Sequence, residues 1–215
     1  MRRILLPLFA FLVVPDLAAA QEIAVRRLTP REVPAAAARV GKIEAARQWR
    51  DRTGDNLLLL TRTDEVWAPD SDGNDARSRE IHGYHYVREG GRYRLLWHTV
   101  DFERDCIVDI VLQYAPGSLQ VTDVDRDGTA ETSYVYQIAC MGGVDPTGVK
   151  LIMHEGATKY AIRGSSDLRD YGGDYPPPTM NVDPALAREP ALRAYAVAQW
   201  RRFIRTNRWP DEGAP

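Results

Sequence analysis

Apolar and polar positions alternate in short runs along most of this chain, and turn residues interrupt them roughly every 8–12 positions, the pattern of antiparallel β structure. Residues 41–49 place Ile43, Ala45, Arg47 and Trp49 on one alternating face. Asp51-Arg-Thr-Gly54-Asp55 then reads as a turn and residues 56–63 as a partly buried strand, which together predict a hairpin. Residues 82–88 and 93–100 flank Glu89-Gly90-Gly91-Arg92, a second hairpin signal. Further strands are expected over 107–114, 119–123 and 132–139, and a last hairpin over 148–155 and 158–163 turns at Gly156.

The period becomes helical in two places. Thr29-Pro30-Arg31-Glu32 is a capping-box pattern with proline at the first helical position, and it opens an alanine-rich stretch, so a short helix is expected over 29–39. Asp183-Pro184 starts a longer helix, restarted at Pro190 and running to about residue 208. Its apolar stripe is Leu192, Ala196, Trp200 and Phe203, widened by Val197 and Ile204, with Arg193, Arg201, Arg205 and Arg208 mostly off that stripe. The expected fold is mainly β: a single antiparallel β-rich domain over 21–215, with a short N-terminal helix and a longer C-terminal helix, 184–208, docked on it. Residues 164–182, rich in glycine and proline, form a surface connection.

The N-terminus modifies this picture. Arg2 and Arg3 precede an apolar run over residues 4–14, and Ala18-Ala19-Ala20 supplies a small-residue cleavage pattern before Gln21. That run is shorter than the roughly 20 residues that span a bilayer, so 1–20 reads as a secretory signal. The expected location is periplasmic or extracellular, with no membrane-spanning segment in the mature chain. A net charge of −2 argues against nucleic acid as a general partner. Cys106 and Cys140 are the two cysteines, and in an oxidising compartment a disulfide between them is the leading expectation. A plain three-strand meander over 107–139 would hold them at opposite ends, about 23 Å apart, whereas a disulfide needs Cα atoms at roughly 5.5 Å. Either the strand order is altered, or the flanking segments fold back, or the bond does not form within the chain, and an altered strand order is the favoured expectation.

Candidate chemistry concentrates in Asp123-Val-Asp125-Arg-Asp127-Gly128-Thr-Ala-Glu131. Four carboxylates in so short a loop repel one another unless a cation sits among them, and hard oxygen ligands at alternate positions suit Ca²⁺. In such a loop Asp123, Asp125 and Asp127 give side-chain oxygens and Thr129 a backbone carbonyl. Glu131, the ninth residue, closes the shell directly or through water. An EF-hand would need an acid at position 12, where this chain has Tyr134. The loop and its strand-like flanks resemble the calcium loops of integrin-type β-propellers, in a single copy. The competing expectation is an acidic, solvated β-turn.

A wider set of residues runs Trp49-Arg-Asp51…Gly54-Asp-Asn56, Tyr84-His85-Tyr86, Leu96-Trp97, Asp105-Cys106…Asp109, the acidic loop, Cys140…Asp145-Pro146 and Lys150-Leu-Ile152…His154-Glu155-Gly156. Together, over roughly residues 41–164, these resemble an exported bacterial family labelled surface polysaccharide biosynthesis proteins. The resemblance implies an envelope or extracellular setting and a β-rich domain, and it implies no particular reaction.

Other candidates carry less. His82 and His85 lie three apart on a strand and so point to opposite faces, which argues against joint metal ligation. Structural or surface roles are expected for them, for His98 and for His154. Asp109 could reach a metal, orient an arginine or face water. Asp70, Asp72 and Asp75 could form a second, weaker cation loop. Tyr84, Tyr86, Trp67, Trp97, Tyr134 and Tyr136 could line a sugar-binding face, though strand aromatics usually serve as core or cross-strand pairs. No hydrolase, zinc-protease, P-loop or dinucleotide signature occurs, and no catalytic residue is assigned. The functional expectation is an exported, calcium-binding, non-enzymatic β domain that binds or supports an envelope polysaccharide or envelope protein. The alternatives are a carbohydrate-active enzyme acting on surface polysaccharide, and a structural domain whose acidic loop stays empty.

Overall fold

A computed structural model describes residues 23–169 and 172–205; the expected signal segment and the end of the expected C-terminal helix lie outside them. The chain divides its strands in order between two antiparallel sheets. The first contains β1 (Val25–Arg27), β2 (Lys42–Asp51), β3 (Gly54–Arg62), β4 (Val66–Pro69), β5 (Asp75–Glu89) and β6 (Arg92–Cys106). The second contains β7 (Asp109–Tyr114), β8 (Gln120–Thr122), β9 (Glu131–Met141), β10 (Gly148–Glu155), β11 (Thr158–Ser165) and β12 (Met180–Val182). β5 pairs with β6 along nearly its whole length, and its other edge is shared by β3 and β4.

Three apolar clusters define the layers. Trp49, Leu58, Leu60, Ile81 and Trp97 of the first sheet meet Ile110, Leu112, Tyr134, Tyr136 and Ile152 of the second. The opposite face of the second sheet, with Val135, Leu151, Met153 and Ile162, is covered by Leu186, Leu192, Ala196, Trp200 and Phe203. The opposite face of the first, with Leu57, Leu59, Tyr84 and Tyr86, is covered by Leu28, Val33 and Ala37. The mainly-β architecture expected from the alternation is thus present, in four layers.

The covering of the first sheet corrects one expectation. Residues 29–39 form turns, closed by Glu32 N–H to Thr29 O and Ala37 N–H to Pro34 O, and not a helix. The capping contact itself forms, since Glu32 Oε2 accepts from the Thr29 N–H and hydroxyl at 2.8 Å. Pro34 stops what would follow: it has no N–H for the next helical hydrogen bond, and its ring disfavours helical geometry at Val33. At the C-terminal end the helix appears as α1 (Pro184–Ala187) and α2 (Pro190–Phe203). Asp183 caps α1 through Leu186 N–H and also accepts from Ala161 N–H in β11, fixing the helix on the sheet. The stripe Leu192, Ala196, Trp200 and Phe203 is the buried one.

Strand order around the cysteines is altered, the alternative that their spacing favoured. β7 and β8 lie one after the other along a single edge of β9, separated by the Pro116-Gly117 excursion. This makes an interrupted hairpin rather than a meander and places Ile110 opposite Cys140. Cys106, at the end of β6, then bonds Cys140 across the two sheets with a Cα separation of 5.6 Å. A bulge between Ile43 and Ala45 also divides the face expected of β2. Ile43 packs outward with Ala46, whereas Ala45 and Trp49 join the inter-sheet core.

Candidate metal centre

The acidic loop joins β8 to β9 directly after the pair Thr122–Glu131. Arg126 at φ 62° and Gly128 at φ 83° occupy the left-handed region and curl the backbone inward. The curl turns main-chain N–H groups onto the loop's own acids. Asp127 N–H donates to Asp125 Oδ1 at 3.2 Å, Gly128 N–H to Asp123 Oδ2 at 3.2 Å, and Thr129 N–H to Asp127 Oδ1 at 2.7 Å. Val124 N–H and the Thr122 hydroxyl donate to Glu131 Oε2 at 2.8 and 3.2 Å.

Two oxygens are left over. Asp123 Oδ1 and Glu131 Oε1 are buried, and no group among the described residues donates to either. Glu131 as a residue is fully buried, 0% exposed. Burial pushes its carboxyl up to about 7, against the hydrogen bonds from Val124 and Thr122, and the charge of Asp125 adds to the rise. Carboxylate oxygens of Asp123, Asp125 and Glu131 lie within 4.8 Å of one another. Oxygens bound to one Ca²⁺ at 2.3–2.6 Å cannot be more than about 5 Å apart, so this set is compact enough to share an ion.

A second group of the same compactness joins Asp125 and Asp127 to Glu155. Glu155 sits directly opposite Glu131 in the β9–β10 register. Burial raises its proton affinity first, and the charges of Asp125 and Asp127 raise it further. The loop acids therefore divide into two overlapping sets that share Asp125. Asp127 also forms an ion pair with Arg52 at 2.9 Å, so part of its charge is already balanced. Thr129 donates its N–H to Asp127, and its hydroxyl oxygen accepts from Arg52 Nη2 at 2.9 Å.

The first sheet holds this loop from outside. Arg52 N–H donates to Gly128 O at 2.9 Å, and Ala130 N–H donates to Asp51 Oδ2 at 3.0 Å. Asp51 also accepts from Trp49 Nε1 and from the N–H and hydroxyl of Thr53. Burial opposes its negative charge, but these hydrogen bonds outweigh burial and hold its carboxyl below the usual range. Asn56 Nδ2 donates to Asp51 Oδ1 at 3.0 Å and to Gly54 O at 2.9 Å. That fixes the amide, so Asn56 Oδ1 accepts from His85 Nε2 at 2.8 Å and leaves His85 Nδ1 as the unprotonated nitrogen. On the far side, Tyr195 of α2 lies beside Ser133, Thr122 and Glu131. Both sheets thus converge on the loop, and α2 lies beside the strands that flank it.

Glu155, Asp51 and Arg52 were not among the residues singled out from sequence as ligands or loop supports. Glu155 is distant from the loop along the chain, and only the β9–β10 register brings it to Glu131. The remaining candidates fall elsewhere. His82 and His85 do point to opposite faces: His82 Nδ1 lies 3.1 Å from His98 Nε2 on one, and His85 packs between Trp49 and Trp97 on the other. His154 stacks on Trp97 with ring centroids 3.9 Å apart. Asp109 pairs with Arg77 at 3.2 Å. Asp70 turns back on Asp72 N–H and Asn74 N–H, an Asx turn, and the 70–75 loop gathers no cluster of acids comparable to the two above. Of the six aromatics, five are buried and only Trp67 is exposed, with Arg77 over its ring. Among the described residues no helix is long and apolar enough to cross a membrane. No family model, curated protein or solved structure matches this chain.

Proposed function

We propose that this protein is an exported, calcium-binding β domain that binds or supports an envelope component, in the setting that its resemblance to surface polysaccharide biosynthesis proteins implies. The observation that carries the calcium reading is the pair of donorless buried oxygens on Asp123 and Glu131, with Asp125 beside them. Each carboxylate has donors on its other oxygen, but a buried oxygen left without one still costs about 1–3 kcal/mol, and more when its group is charged. A divalent cation removes that cost for both oxygens at once, and carbonyls or water complete the shell. Calcium suits the hard, all-oxygen donor set and the irregular loop better than Mg²⁺, which demands near-octahedral geometry.

Export is supported by the leader-like sequence and by the disulfide, which an oxidising compartment sustains. A binding role is favoured over catalysis because Glu131, whose proton affinity would suit a general acid, is fully buried and out of reach of a polysaccharide. The ion's role is to hold the β8–β9 loop against the β2–β3 turn, so that both sheets and α2 share one rigid end. The test is thermal melting in Ca²⁺ and in chelator, for the native chain and for Asp125→Ala, the acid common to both carboxylate groups. The native chain melts higher in Ca²⁺ and the variant shows no difference; equal melting of the native chain in both conditions refutes the reading.

A further inference from the structure

A half-open cleft of about 270 Å³ lies where β1 and β2 meet the excursion between β7 and β8. It begins four residues back along β2 from Asp51, away from the acidic loop. One wall is the 113–119 segment, Ala45 and Leu60 contribute apolar surface, and Arg27, Arg47, Arg62 and Glu44 contribute charge. Arg62 Nε and Glu44 Oε1 pair at 2.9 Å and balance each other. Arg27 and Arg47 have no such relief. They stand directly opposite each other in the β1–β2 register. Like charges so placed in an antiparallel pair are destabilising. Arg47 alternates with Ala45 and Trp49, which both belong to the inter-sheet core. It is half-buried, and its visible partner is a main-chain oxygen, Ala46 O at 2.9 Å. Burial, and then the charge of Arg27, lower its hold on its proton. Among the described residues no carboxylate pairs with either arginine.

We infer that this cleft binds a small acidic ligand, whose acid group is held between the guanidinium groups of Arg27 and Arg47. Guanidinium forks match a carboxylate bidentately, and two of them around one anion convert a repulsive pair into a clamp. The volume falls just under the roughly 300–1,000 Å³ that encloses drug-sized molecules, which suits a single ring bearing one acid group. Leu60 and Ala45 offer a surface for the C–H face of that ring, and the 113–119 main chain can meet hydroxyls. A sugar acid has all three features. The anion site stands on the arginine pair alone; naming a sugar acid as its occupant rests on the polysaccharide reading above.

The experiment is calorimetric titration of the protein with glucuronate, glucose and inorganic phosphate, repeated with Arg27→Gln, Arg47→Gln and the double variant, each with and without Ca²⁺. Glucuronate should bind and glucose should not. Each single variant should weaken glucuronate by about tenfold or more, as expected for loss of a hydrogen bond to a charged group. Both variants should melt at least as high as the native chain without ligand, because each removes the repulsion. Phosphate binding as well as glucuronate, and lost in the same variants, would keep the anion site and overturn the sugar acid. No glucuronate binding up to about 10 mM, or the same affinity in the double variant, would overturn the site itself. Glucuronate binding in a protein that ignores Ca²⁺ would uphold the cleft while refuting the metal centre.

Discussion

Replacing Glu131 by glutamine separates charge from shape at the acidic loop. Glu131 Oε1 is buried without a donor, and burial holds the carboxyl up to about 7. Glu131→Gln should therefore melt at or above the native chain in chelator and lose the calcium response, a pair of outcomes that scanning calorimetry reads directly. The inter-sheet histidines give a second residue-scale test. His85 is held down to about 4 by burial, against the raising charge of Asp51, and His154 to about 3 by burial, Lys159 and His85. Both values lie below the ordinary 6.5, so the unfolded chain binds protons that the native chain refuses. Their contribution is thus complete above about 6.5 and is lost as the pH falls towards about 4 for His85 and about 3 for His154. In saturating Ca²⁺, where Glu131 stays ionised, His154→Phe should flatten the fall in denaturation midpoint over that window; an unchanged slope would mean His154 takes no part. The loop's acids were legible in the sequence because they are contiguous. Glu155 and Asp51 were not, since nothing local says which strand end will face the loop.

At the level of elements, alternation and turn chemistry were enough to locate the hairpins of β2–β3, β5–β6 and β10–β11, where Gly and Asp mark the turns. The short edge strands β1, β4 and β12 were missed. Each is only three or four residues long, and periodicity over so few positions carries little signal. The N-terminal segment shows the opposite error. A correct local cap at Thr29 and Glu32 was read as the start of a helix, although Pro34 sits where the helix needed a donor. The cysteines were more informative than any periodicity, since their spacing argued against a plain meander and favoured the altered order that β7 and β9 show. That bond now ties the end of β6 to β9 and so joins the sheets covalently. Replacing both cysteines by alanine should cost about 3–4 kcal/mol by the loop-entropy estimate for a 34-residue separation. Urea unfolding measures this, and a loss near zero would show that the noncovalent contacts between the sheets suffice without it.

For the whole molecule, the arrangement is a pair of sheets whose common end is closed by carboxylates from the β8–β9 loop, β9 and β10 and clasped by the β2–β3 turn. A ligand that binds only this folded end stabilises the entire chain by mass action, by about 2.7 kcal/mol at a hundred times its dissociation constant. For a chain of this length that is a rise in melting temperature of roughly 5–10 °C. The β2–β3 turn of the first sheet bonds the loop, and the loop continues into β8 and β9 of the second, so the gain should appear as a shift of one cooperative transition rather than as local ordering of a surface turn. The most direct measurement is calorimetric titration of chelator-treated, refolded protein with Ca²⁺, set beside the same titration of Asp125→Ala. Saturable heat in the native chain, absent from the variant, is the predicted result. A flat titration of native protein that melts cooperatively would contradict it, and would leave the loop as an acidic turn.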